Sequence, residues 1–253
     1  MTVTTTSNDM SRLGHLASMA VAAVEYRRFA DLIRSLSPTD WSRPTDCTAW
    51  DVKAVVCHNL GNMAGNASMR ENIHQMRTAM KRSRANATSM VDEMTGLQVS
   101  ERVSRTPAQL CDEIERLIPK ALAGRRRTPA LLRRTVKIKI PAPHNTLALG
   151  YLIDQIYNRD MFMHRVDICR ATGREPALDA DHEGRLIAEI VGDWAANHGR
   201  HFDLVLDGPA GGAFRHGEGG EQLRLDAVAF ARIVSGRRDG NPVAGLLATE
   251  VLY

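Results

Sequence analysis

The chain has 253 residues, 43% hydrophobic and 25% charged, with a formal net charge of +4 and a pI of about 9.0. That is the balance of an ordinary globular protein, long enough for one sizeable core or two modest domains. The longest apolar stretch, Leu16 to Val24, falls far short of the ~20 residues a membrane span needs, and the Thr-rich start lacks the early basic residues of a secretion signal.

The first element reads as a long amphipathic helix from about Asp9 to Leu36. Leu13, Leu16, Ala20, Val24, Phe29, Leu32, Ile33 and Leu36 approximate its 3.6-residue repeat, and Ser37-Pro38 ends it. A second helix starts near Ala49, with Thr48 at the N-cap and Asp51 as the acid of a capping box. The Met-, Asn- and Arg-rich stretch from Gly61 to Arg105 is read as helical. Thr106-Pro107 opens a third helix, where Gln109 completes a capping box, and it runs to about Ala123. Asn145 or Thr146 caps a fourth, which ends at Gly173. Four such helices predict a bundle, the architecture in which facing helices build metal sites.

After Gly173 the texture changes. Asp179 to His198 reads as one more helix, stopped by Gly199. Short alternating segments follow at 202–207, 213–216 and 222–226, with glycine-rich runs at 208–212 and 217–220 punctuating them as hairpin turns do. A helix from Asp226 to Ser235 and a last apolar segment complete a small α+β unit. The sequence therefore predicts a mainly α protein, with a helical bundle over 1–173 and a small α+β domain over 174–253.

Within the fourth helix, Asp160 and His164 stand four residues apart, on the face that carries Leu152 and Ile156. A carboxylate and an imidazole side by side in an apolar setting need a reason. A divalent metal is one reason; a simple ion pair, or a core histidine satisfied by its neighbour, is another. His58 lies on the second helix beside Val52, Val55 and Val56, and is open to the same two readings. Together the three residues form a His, Asp, His set with a coordination position left open, the pattern of a catalytic rather than a structural metal site. Such an N₂O set suits zinc first, and also nickel or iron(II). Asp167 falls near the face of Asp160 and is the reserve carboxylate. Cys47, Cys57, Cys111 and Cys169 lack paired spacing and read as reduced thiols of a cytoplasmic protein.

The run Trp41-Ser-Arg-Pro-Thr-Asp-Cys-Thr-Ala-Trp50-Asp-Val, ending at His58, resembles the first motif of mycothiol-dependent maleylpyruvate isomerase-like proteins of the DinB superfamily. Arg159-Asp160-Met-Phe-Met-His164-Arg-Val-Asp167-Ile resembles their second motif, and the C-terminal turns look like their sterol-carrier-like domain. The resemblance implies a DinB-like four-helix bundle followed by that small domain, with metal on His58, Asp160 and His164. The family's isomerase has Glu where this chain has the shorter Asp160. The resemblance further implies mycothiol as cosubstrate, a metal-activated thiol, and isomerisation or thiol transfer on a small electrophile. Arg237, in the Ser-Gly-Arg turn, matches a position where the family's isomerase uses an arginine; a solvated surface turn beside Arg238 is the competing reading.

Two other classes remain open from the residues. One is a non-catalytic scaffold that binds a metal, a small ligand or a lipid. The other is a nucleic-acid-binding regulator, suggested by the basic residues Arg125–Arg127, Arg133, Arg134, Lys137 and Lys139. A 5% aromatic content leaves few stacking platforms for nucleic acid, so that run reads better as a solvated linker.

Overall fold

The computed structural model describes residues 4–5, 10–139, 146–237, 240 and 242–253. The chain forms two compact units, His15–Glu175 and Pro176–Tyr253 together with Met1–Gly14.

In the first unit, α1 (His15–Arg34) buries Met19, Ala22, Tyr26, Phe29, Ala30 and Ile33 at three- and four-residue intervals. The expected start at Asp9 lies outside the described residues, and the helix opens only at His15. Leu16 and Val24, expected on the core face, are exposed at 67% and 39%. The buried stripe is instead centred on Ser18, Ala22, Glu25 and Phe29, where the Glu25 carboxylate takes Arg165 at 3.1 Å.

Helix α2 (Val52–Ala67) is capped by Asp51, which accepts from Ala54 N at 2.8 Å, and not by Thr48. The chain first turns through Thr45–Trp50, closed by Trp50 N donating to Cys47 O at 2.7 Å, so the helix begins after that turn. It continues through Gly61 and Gly65. A Cβ on Gly61 would lie 2.4 Å from Gln98 Cβ, which shows how closely α4 (Met90–Ser100) crosses over α2. With α3 (Met69–Asn86), capped by Ser68, α4 accounts for most of the stretch from 61 to 105. Helix α5 (Pro107–Arg127) opens with the expected Thr106/Gln109 capping box and runs past Ala123 to Arg127.

The short α6 (Ala130–Thr135) and the hairpin of β2 (Lys137–Lys139) and β3 (Thr146–Ala148) lead on. Thr146 is thus a strand residue and not a helix cap, while Asn145 lies outside the described residues. A short α7 (Leu149–Tyr151) passes through a π-helical turn, Leu152–Ile156, into α8 (Tyr157–Thr172). Gly173, at φ 68°, caps α8 in the left-handed conformation expected of it. Arg125 reaches into the π-turn, donating to Ile153 O, to Asn158 Oδ1 at 2.7 Å and to Tyr26 OH at 3.0 Å. The first arginine of the expected linker is therefore a buried structural group. Helices α1, α2, α5 and α8 pack around Phe29, Val56, Leu60, Ile114, Met161 and Ile168.

In the second unit, α9 (Glu183–His198) ends at Gly199, φ 63°. Strands β4 (Phe202–Asp207) and β5 (Gly212–His216) form the expected hairpin, and β6 (Glu221–Asp226) leads into α10 (Ala227–Val234), capped by Asp226. β1 (Thr4–Thr5) adds on parallel to β5, giving the order β1-β5-β4-β6. The second glycine run is not a hairpin turn, because β6 pairs parallel with β4. Residues 217–220 cross the start of β4, where a Cβ on Gly220 would lie 2.0 Å from the His201 backbone carbon. Only glycine permits that crossing. Among the described residues, no helix is long and apolar enough to cross a membrane.

Candidate metal centre

Asp51 capping α2 and the π-turn preceding α8 set the starting points of the two helices that carry the candidate residues. His58 and His164 are buried at 6% and 4% exposure, and Asp160 is partly accessible. His58 Nε2 lies 3.4 Å from Asp160 Oδ2, and His164 Nε2 lies 3.3 Å from Asp160 Oδ1. The ring centroids are 5.2 Å apart at 77°, so the two imidazoles meet edge to face over one carboxylate. One donor atom from each of the three residues lies within 4.8 Å of the others. Residues distant in sequence thus converge on one point.

Electrostatics follow from this arrangement. Burial alone would raise the Asp160 carboxyl, but the facing His164 and His58 imidazoles outweigh it and hold the carboxyl well below the usual range. Burial alone would likewise lower His164; Asp160, with help from Asp167 and Cys47, raises it well above the usual imidazole value. A carboxylate faced by two imidazole nitrogens demands positive charge beside it, supplied by the proton of His164 or by a cation. The two separations run to different oxygens of the one carboxylate, 3.4 Å from His58 to Oδ2 and 3.3 Å from His164 to Oδ1, and imidazole nitrogen and carboxylate oxygen are the donors a divalent metal takes at about 2.0–2.2 Å. The donors present fit a divalent metal.

Asp167, the reserve carboxylate, meets the other ring nitrogen of His164. Its Oδ2 lies 3.1 Å from His164 Nδ1, on the opposite edge of the ring from Asp160. The imidazole stands between the two carboxylates, and Cys47, His164 and Asp167 form a second group with one donor atom from each within 4.8 Å of the others. Cys47, half-buried, lies 3.5 Å from the same Asp167 oxygen and 3.9 Å from His164 Nδ1. Trp50 covers the histidines, with its ring centroid 5.1 Å from His58 and 6.2 Å from His164. His58 Nδ1 contacts Gln98 Oε1 at 2.8 Å. The i,i+3 spacing of His164 and Asp167 could have revealed their contact; nothing in the sequence signals Gln98, forty residues from His58.

Arg159 and Arg165 are buried on α8. Arg165 pairs with Glu25, and Arg159 meets Tyr151 OH at 3.1 Å with its guanidinium 5.7 Å from that ring. Arg237 follows α10 in the second unit. Its backbone N donates to Arg232 O at 2.9 Å and its Nη1 to Ser235 Oγ at 3.1 Å. Arg238 lies outside the described residues. The four cysteines are free thiols.

Fold and site together define a two-unit protein whose helical bundle carries an inward-facing cluster of two histidines and one carboxylate. The family described as the mycothiol maleylpyruvate isomerase N-terminal domain matches residues 22–169, and the chain belongs to it. Two crystal structures share the fold. That of mycothiol-dependent maleylpyruvate isomerase is 14% identical, covering 94% of each chain at a TM-score of 0.57. That of a histidine-to-alanine mutant of the isomerase is also 14% identical, covering 92% of each chain at a TM-score of 0.56. No curated protein matches the sequence.

Proposed function

We propose that this maleylpyruvate isomerase-like protein is a metal-dependent enzyme with mycothiol as its thiol cosubstrate. Its reaction is isomerisation of a small, anionic, activated alkene by reversible thiol addition, or transfer of the thiol to such an electrophile. The observation that carries the reading is the convergence of His58 Nε2 and His164 Nε2 on the Asp160 carboxylate. These three residues would hold the ion, zinc first among those an N₂O set suits. When bound, such an ion deprotonates a coordinated thiol, which with a free pKa near 8.5 is otherwise only a few per cent thiolate at neutral pH.

The protein's own groups have distinct tasks in this reading. Asp160 supplies the single negative charge of the set. Asp167 holds the Nδ1 hydrogen of His164, fixing the ring and leaving Nε2 to face Asp160. Trp50 shields the outer faces of both imidazoles from water. Arg237 is the candidate anion clamp, since a guanidinium fork can take a substrate carboxylate in two parallel hydrogen bonds. Free thiols throughout fit a reducing, cytoplasmic setting.

Metal analysis of the purified and reconstituted protein, beside an assay of maleylpyruvate turnover with and without mycothiol, tests the reading. About one divalent ion per chain and thiol-dependent turnover are expected, both abolished by His164→Ala. A protein that takes up no ion after reconstitution and shows no thiol-dependent turnover overturns it, leaving a non-catalytic scaffold.

A further inference from the structure

The stretch from Gly61 to Arg105 contributes no metal ligand, yet it supplies the side chain that holds His58 from behind. The hydrogen bonds there form a relay whose direction can be assigned atom by atom. The Gly61 carbonyl can only accept, and Gln75 Nε2 donates to it at 2.9 Å. The same amide nitrogen donates to Glu71 Oε1 at 2.9 Å, so both Gln75 amide hydrogens are committed to acceptors. Gln75 Oε1 is thereby turned towards Gln98, whose Nε2 donates to it at 2.9 Å. That leaves Gln98 Oε1 facing His58 Nδ1 at 2.8 Å. An amide oxygen carries no hydrogen, so the hydrogen of this contact belongs to His58 Nδ1. In a neutral imidazole the lone pair then sits on Nε2, the atom 3.4 Å from Asp160.

The relay cannot be reversed locally. Turning the Gln98 amide would set its oxygen against Gln75 Oε1, and turning Gln75 as well would set its oxygen against Gly61 O and the Glu71 carboxylate. Gln75 and Gln98 are 3% and 5% exposed, so water has little access to relieve either clash. The close crossing of α4 over Gly61 brings Gln98 within reach of His58.

The geometry points to Gln98 as a positioning residue: it fixes the His58 tautomer whose Nε2 lone pair faces Asp160, with the polarity set through Gln75 by the Gly61 carbonyl. Its functional meaning rests on the metal reading above, but the tautomer is a property of the metal-free chain. In the opposite tautomer Nε2 would present a hydrogen to the position the ion needs.

Long-range ¹H–¹⁵N NMR of the metal-free full-length protein at alkaline pH reports the tautomer directly, and a zinc titration of the same samples reports affinity. The wild type is expected to show His58 with hydrogen on Nδ1. Gln98→Met keeps the length and removes the acceptor; it should give mixed tautomers and weaken zinc by about ten- to a hundredfold. Gln98→Glu retains the acceptor towards His58 and should keep the hydrogen on Nδ1, while its second oxygen, now set against Gln75 Oε1, lowers stability. His164 signals at their wild-type positions establish that the bundle is intact. Should Gln98→Met not fold, Gln75→Met breaks the relay one link further out and should also mix the tautomers. A wild-type His58 with hydrogen on Nε2, or a folded Gln98→Met with unchanged spectra and unchanged affinity, overturns the inference. A wild type that binds no zinc refutes the metal reading instead, and the tautomer spectra still decide the role of Gln98.

Discussion

Two glycine-to-alanine substitutions, at Gly61 and Gly96, make the same chemical change inside neighbouring helices and should move stability in opposite directions. At Gly96, on the exposed side of α4, a new Cβ meets nothing within 4 Å. The gain is then the helical preference of alanine over glycine, about 1 kcal/mol, which for a chain of this size raises Tm by about 2–4 °C. At Gly61 the same preference applies, but the new Cβ would sit 2.4 Å from Gln98 Cβ and 2.6 Å from its Cγ, so α4 must retreat. Overpacking of that kind costs about 1–3 kcal/mol, and loss of the buried Gln98–His58 hydrogen bond adds about 1 kcal/mol. Setting the propensity gain against these leaves a net loss of about 1–3 kcal/mol and a Tm lower by about 2–12 °C. Calorimetry of the two variants beside the wild type reads both signs. If Gly61→Ala were stabilised as much as Gly96→Ala, α4 would not be packed on α2 as described, and the Gln98 relay would lose its structural basis.

The raised His164 imidazole predicts a pH-dependent centre. A cation must displace the Nε2 proton, so zinc affinity should fall by about tenfold for each pH unit below the raised pKa, per proton displaced; calorimetric titration in buffers of different ionisation enthalpy would detect the released proton. Without metal the sign for stability differs. The depressed Asp160 stabilises above its unfolded value of 3.8 and the raised His164 below its unfolded value of 6.5. The pair's contribution is therefore complete between those limits, lost in acid as Asp160 protonates and lost in base as His164 deprotonates. A flat urea-stability profile across both limits would refute the pairing. The thiols should divide by burial: Cys57, buried and pushed up to about 11, and Cys169, also raised by burial, should resist alkylation in the folded protein, while half-buried Cys47 labels first. Mass spectrometry after brief labelling finds the order, and early labelling of Cys57 would contradict its place in the core.

The candidate site was legible where its chemistry is local. A four-residue interval on a helix puts Asp160 and His164 on one face whatever surrounds them, and caps such as Thr106 with Gln109, or Gly173, depend only on backbone groups a few positions away. The family resemblance at Trp41–His58 and Arg159–Ile168 rests on equally short runs. Legibility failed where a helix's rotation is chosen by its partners. Leu16 and Val24 are as apolar as the residues that do face the core, and only the packing of α1 on α5 and α8 decides which stripe is buried.

The same division runs through the arginines. Arg125 reads as part of a solvated linker because its type is usually solvated; it is buried because Ile153 O in the π-turn receives it, as the Glu25 carboxylate receives the buried Arg165. The linear order of residues determined that one helix would carry a carboxylate and an imidazole on one face, and that a histidine on another would share their apolar setting. Tertiary structure alone decided how close His58 comes to them and that Gln98 stands behind His58. Those are contacts between atoms brought together by helix crossing angles, and crossing angles come from the shapes of whole packed surfaces rather than from any local spacing.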